Sequence, residues 1–170
     1  MATVILAVIG LQALRRGRAW YTAAVLFMTL PSTLLLLVET GSLAAQPAEP
    51  FFRRAEEVAA FQCLANQEQR DVVVLASYET GNALPAWSPV FVVVGHGPES
   101  AGMAELLPRI KSFYDIDTPA GARLALLQDL RVDYVFWGPH ERALGDWDPT
   151  TCDFLSTYCQ AGPYLILSTQ

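Results

Sequence analysis

The chain has 170 residues, 52% of them hydrophobic, and a formal net charge of −6. Its charge is unevenly spread: residues 1–39 hold three Arg and one Glu, while residues 40–170 hold eight basic and sixteen acidic side chains, a net charge near −8. An acidic surface of that kind repels polyphosphate, which excludes nucleic acid as a partner, and it disfavours docking on anionic lipid headgroups.

In chain order, residues 2–14 form a first uncharged stretch. At about 20 Å as a helix it is short for a bilayer crossing and reads as the end of a longer membrane helix, so the chain is expected to be part of a polytopic protein. Arg15, Arg16 and Arg18 follow, and then residues 20–38 carry no charge at all. That run spans roughly 28 Å as a helix, against a hydrocarbon core of about 30 Å. It predicts a transmembrane helix, or the second arm of a helical hairpin, with Trp20 and Tyr21 in the interfacial belt and Pro31 as a tolerated kink. The Arg cluster belongs on the cytoplasmic side, which puts the acidic remainder on the extracytoplasmic face of the cell membrane. A secretory signal peptide is the rival reading, with Leu43-Ala44-Ala45 near a cleavage site. Its apolar region runs about 7–15 residues, so the longer run favours a retained helix with the lipid bilayer as partner.

Residues 40–50, with Gly41, Ser42, Pro47 and Pro50, read as a polar linker, and residues 51–170 as one extracytoplasmic domain. In residues 51–69 the apolar Phe51, Ala55, Val58, Phe61 and Leu64 recur at helical spacing between charged residues, predicting an amphipathic helix. Residues 71–77 and 90–94 are short runs apolar at consecutive positions, as strands buried on both faces should be. The segment 78–89, with Gly81, Asn82, Pro85 and Pro89, reads as a loop between them. Ser100 can cap a helix through Tyr114, and Thr118-Pro119 can open another through Leu130. Residues 132–137 predict a third strand, 140–150 a surface connection, 151–160 a short helix and 163–168 a closing strand. Alternating helices and buried strands imply a small three-layer α/β domain with a mostly parallel sheet.

Ligands of open α/β sheets bind beyond the C-terminal ends of the strands. The segments reaching that edge contribute Tyr78, Glu79, Asn82, His96, His140, Glu141 and Arg142, and Trp87 offers an indole on which carbohydrate could stack. These eight are the candidate binding residues. No catalytic residue is assigned: Ser77 lacks a nucleophile-elbow setting, and no base accompanies a cysteine. His96 and His140 with Glu79 or Glu141 could supply a zinc set in principle, but no ligand spacing supports one, so no metal and no cofactor are expected. Of the cysteines, Cys63 reads as a small core residue, while Cys152 and Cys159 could pair in an exported domain. On one straight helix their Cα atoms would stand about 10 Å apart, so a bond between them requires a bend.

The succession of Asp71-Val-Val-Val-Leu-Ala-Ser-Tyr-Glu-Thr-Gly-Asn82 with Pro85-Ala-Trp87, then Gly95-His96, then Val132-Asp-Tyr-Val-Phe136 with Gly138-Pro139 and Glu141-Arg142, resembles the C-terminal extracytoplasmic domain of bacterial polytopic GT-C class glycosyltransferases, relatives of the protein mannosyltransferases. The resemblance spans roughly the whole chain, including the last membrane helices. It implies a polyprenyl-phosphate-sugar-dependent enzyme whose catalytic acidic residue stands on the first extracytoplasmic loop, to which no position of this sequence corresponds. It therefore implies an accessory or acceptor-binding domain, inactive alone, whose partners are the membrane core of the larger protein and a carbohydrate or lipid-linked sugar. The alternative is a freestanding, membrane-anchored module that binds a ligand or protein and has no enzymatic activity.

Overall fold

A computed structural model describes residues 17–45, 49, 52–67, 71–95, 97 and 102–170. The stretch 2–14, Arg15, Arg16, His96 and Ser100 lie outside the described residues. The chain divides into two compact units, Met1–Phe52 and Arg53–Gln170.

In the first unit, helix α1 (Arg18–Ala45) is long and apolar enough to cross a membrane by length and composition. It continues through residues 40–45, which the sequence reads as linker, because Leu43, Ala44 and Ala45 are good helix formers and Gly41 is tolerated. Pro31 lies inside it. Around Pro31 the hydroxyls of Thr29, Ser32 and Thr33 donate to the carbonyls of Val25, Thr29 and Thr29, each at 2.9 Å, so their polarity is spent within the helix.

The second unit is the expected three-layer α/β domain. Helix α2 (Ala55–Ala65) leads into strand β1 (Val73–Leu75), helix α3 (Tyr78–Ala83), a 3-10 turn (Leu84–Ala86) and strand β2 (Phe91–Val92). Helices α4 (Met103–Tyr114) and α5 (Ala120–Asp129) precede strand β3 (Tyr134–Trp137), helix α6 (Pro139–Arg142), a second 3-10 turn (Pro149–Thr151) and strands β4 (Leu155–Ala161) and β5 (Tyr164–Thr169). The sheet order is β2-β1-β3-β5-β4. β1 pairs parallel with β2 and β3, and β5 pairs antiparallel with both β3 and β4, so four strands share one direction and β5 opposes them.

Each face of the sheet has its own core. Ala60, Phe61 and Leu64 of α2 pack with Val74, Phe136 and Ile166 on one face. Ile110, Phe113 and Tyr114 of α4 and Leu127 of α5 pack with Leu75, Val135, Leu165 and Leu167 on the other. Adjacent strand residues alternate between the two cores, which is why β1 reads as continuously apolar.

Three expectations are corrected. Residues 78–83 are helical, not loop, because the Ser77 hydroxyl accepts the Thr80 N–H at 3.3 Å and caps the first turn. Residues 155–161 form a strand, not a helix; β5 supplies the ladder partners, and Gly162, at φ +56°, makes the tight turn between them. The cysteine pairing also differs. Cys159 is bonded to Cys63 of α2, with Cα atoms 6.6 Å apart, and Cys152 is free. An extended chain holds Cys152 and Cys159 roughly 20 Å apart, beyond any bridge. A register shift between Thr157 and Cys159 turns Cys159 and Ala161 to the α2 side, whereas Leu155 faces α4.

Candidate functional site

The chain runs from β1 to β2 on one side and later returns to β3 on the other, so the crevice beyond the C-terminal ends of β1 and β3 is the switch point of this sheet. Ser77 leaves β1 there, and Gly138 leaves β3. Between them stands the carboxylate of Glu141, which is fully buried. One oxygen accepts the Ser77 N–H and the other the Gly138 N–H, both at 2.9 Å. The second bond also caps α6, three residues before Glu141. The crevice in which a ligand carboxylate or phosphate would lie is thus filled by the chain's own anion.

Tyr114, at the end of α4, closes the same crevice from the helical layer. Its hydroxyl donates to the carbonyls of Phe136 at 2.8 Å and Leu75 at 3.2 Å, tying β3 to β1. Burial, and then the nearby Glu141 charge, hold its pKa well above the usual phenol value, so it stays a neutral donor. Further along the edge α3 lies directly on the backbone of residues 94 and 95. A Cβ on Gly81 would come within 1.9 Å of the Val94 carbonyl oxygen, so only glycine allows the approach. Asn82 accepts the Gly97 N–H through Oδ1 at 3.2 Å.

Two further features lie beside the crevice. A groove of about 630 Å³ runs between α3 and α4, lined by Tyr78, Glu79, Met103, Leu107, Ile110 and Lys111 among others. It is apolar along its walls, with Glu79 and Lys111 as its charged side chains. On the α2 side, Arg53 bridges the buried Glu57 at 2.9 Å and reaches the Glu79 carbonyl at 3.4 Å. A ring nitrogen of His140 lies within 4.8 Å of a Glu57 oxygen.

The eight candidates from the sequence therefore part company. Tyr78 and Glu79 line the groove, His140 joins the Arg53–Glu57 pair, and Glu141 and Asn82 fasten backbone. Arg142 lies over the Trp137 ring at 3.9 Å and donates to the Pro163 carbonyl at 2.9 Å. Trp87 lies past the 3-10 turn that precedes β2, with 45% of its surface exposed. His96 is outside the described residues. Trp147 is a core residue in edge contact with Phe113 and covered by Arg123. Sequence reasoning passed over Glu57, which the helical spacing put on the polar side of α2; the buried stripe is Glu57, Ala60, Phe61 and Leu64. It also passed over Tyr114, which carries no local signal distinguishing it from an ordinary core aromatic.

No family model and no curated protein matches this sequence. Among solved structures the chain is similar to the C-terminal globular domain of an oligosaccharyltransferase from Archaeoglobus fulgidus, with 11% identity and a TM-score of 0.49 over 69% of this chain and 99% of that domain.

Proposed function

We propose that the chain is a membrane-anchored extracytoplasmic domain that serves a GT-C class glycosyltransferase in a stabilising or acceptor-binding role and makes no glycosidic bond itself. The observation that carries this reading is the Cys63–Cys159 disulfide in the unit that follows an apolar, bilayer-length helix. Disulfides persist outside the reducing cytosol, and the Arg15, Arg16, Arg18 cluster ahead of the helix favours the cytoplasmic side. The two arguments are independent and support the same orientation. The accessory role is supported by the switch point, where Glu141 spends both oxygens on backbone N–H groups and is no free general acid or base. The glycosyltransferase lineage rests on the motif succession from Asp71 to Arg142.

The full chain, expressed in a bacterial membrane, should resist carbonate extraction, lose its α/β unit to protease added outside intact spheroplasts, and show one alkylatable thiol before reduction and three after. A soluble processed product, or protection from external protease, would overturn the anchored reading. The genomic frame upstream tests the lineage: further membrane helices with an early Asp or Glu support it, and a genuine start site overturns it. The apolar groove beside Tyr78 favours a second reading, a freestanding anchored module whose ligand sits against Met103, Leu107 and Ile110.

A further inference from the structure

Among the described residues of the unit Arg53–Gln170, five large apolar side chains are exposed; Tyr158 packs edge-on against Tyr134, and two others have charged neighbours in sequence. Ile116 stands between Asp115 and Asp117, and Leu107 lies on α4 with Glu105, Arg109 and Lys111. Trp87 and Phe91 differ. They are 45% and 60% exposed, and no Asp, Glu, Lys or Arg occurs anywhere in residues 80–95. Trp87 ends the 3-10 turn that precedes β2, an edge strand of the sheet, and Phe91 is the first residue of β2. The turn is tightened by bonds from the N–H groups of Trp87 and Ser88 to the Leu84 carbonyl, both at 3.0 Å. Four residues apart, their Cα atoms lie within about 14 Å of each other.

An uncharged patch holding an indole and a phenyl ring matches the chemistry of the membrane interface, where amphipathic aromatics are enriched. Length brings that interface within reach. Seven residues, 46–52, join α1 to the second unit. Fully extended they span about 25 Å, and the last two turns of α1 beyond residue 38 add about 10 Å. The chain between residue 38 and the second unit is therefore at most about 35 Å long. Its acidic surface is repelled by anionic headgroups, so the charge-free patch is the face suited to lipid contact.

We propose that Trp87 and Phe91 seat the α/β unit on the uncharged interface of the bilayer, using zwitterionic lipid as the partner. This rests on the membrane-anchored reading above. The test is tryptophan fluorescence of the full chain in nanodiscs of phosphatidylcholine or its brominated analogue, compared among wild type, Trp87→Phe and Trp20→Phe. Two of the four indoles are within reach of bromine: Trp20 in α1, and Trp87. Trp147 is buried, and Trp137 is covered by Arg142. The W87F variant should remove roughly half of the quenched amplitude, and Phe91→Ser should reduce the Trp87 share by shallower seating. Equal quenched amplitudes in wild type and W87F, with W20F abolishing them, would overturn the docking and leave the anchor intact. Quenching of neither indole would overturn the anchor and the docking together.

Discussion

The parallel half of the sheet, β2-β1-β3, and the antiparallel half, β5-β4, are held together by opposite means. The hairpin has strands of seven and six residues, a two-residue turn and a disulfide from Cys159 to α2, so its ladder carries much of its own cohesion. The parallel strands are only two to four residues long, too short for their ladders to do the same. Side chains at the strand ends take over: Glu141 joins Ser77 to Gly138, Tyr114 joins Leu75 to Phe136, and Gly81 admits α3 onto the Val94 backbone. Polar residues at the C-terminal ends of short parallel strands can thus serve as joints, though their position suggests ligand contacts.

The comparison breaks most sharply at Gly81. Gly81→Ala puts a methyl group into the Val94 carbonyl and should cost about 4 kcal/mol or more, with amide protection lost across β1 and β2 and stability measured by urea unfolding. On the hairpin side, Cys63→Ser opens a 96-residue separation and should cost about 4 kcal/mol, exposing β4 and β5 to exchange first. Cys152→Ser, with no bond to lose, should stay under about 1 kcal/mol. Glu141→Ala strands two buried N–H donors and should cost about 3 kcal/mol, whereas Glu141→Gln keeps one acceptor and should lose about half of that by thermal melt. Tyr114→Phe should be milder than Glu141→Ala, about 1–2 kcal/mol, because it removes a single hydroxyl and keeps the buried ring. Tyr114 also sets an alkaline limit. Its folded pKa is raised, so its contribution is complete below the unfolded phenol value of about 10 and disappears as pH climbs through the folded one. Unfolding followed from pH 9 to 12 should show a steep alkaline fall in wild type and a flatter one in Tyr114→Phe.

Much of the architecture was legible in the residues. The charge-free run 20–38, the apolar triplets around Val74 and Val135, and the helical spacing in 103–114 are local patterns with few alternative structures. The failures fall where distant partners decide. The segment 155–161 has no strong local preference and becomes a strand because β5 pairs with it. Spacing alone could not find Cys63 as the partner of Cys159, because their 96-residue separation is closed by α2 packing on the sheet. Of the candidate site, the sequence named residues of the strand-end segments but not their contacts: Tyr78 and Glu79 face a groove, while Glu141 and Asn82 face backbone.

What the residues by themselves determined was whatever depends on composition and short-range periodicity: an apolar helix of bilayer length, an acidic α/β unit after it, and the strand ends where polar groups would gather. Tertiary structure alone decided which cysteines bond, which way β5 runs and whether a carboxylate is a ligand or a fastening. Those outcomes turn on how a buried N–H, a thiol or a strand edge finds a partner many residues away, and an unmet buried partner costs more than any local preference can offset.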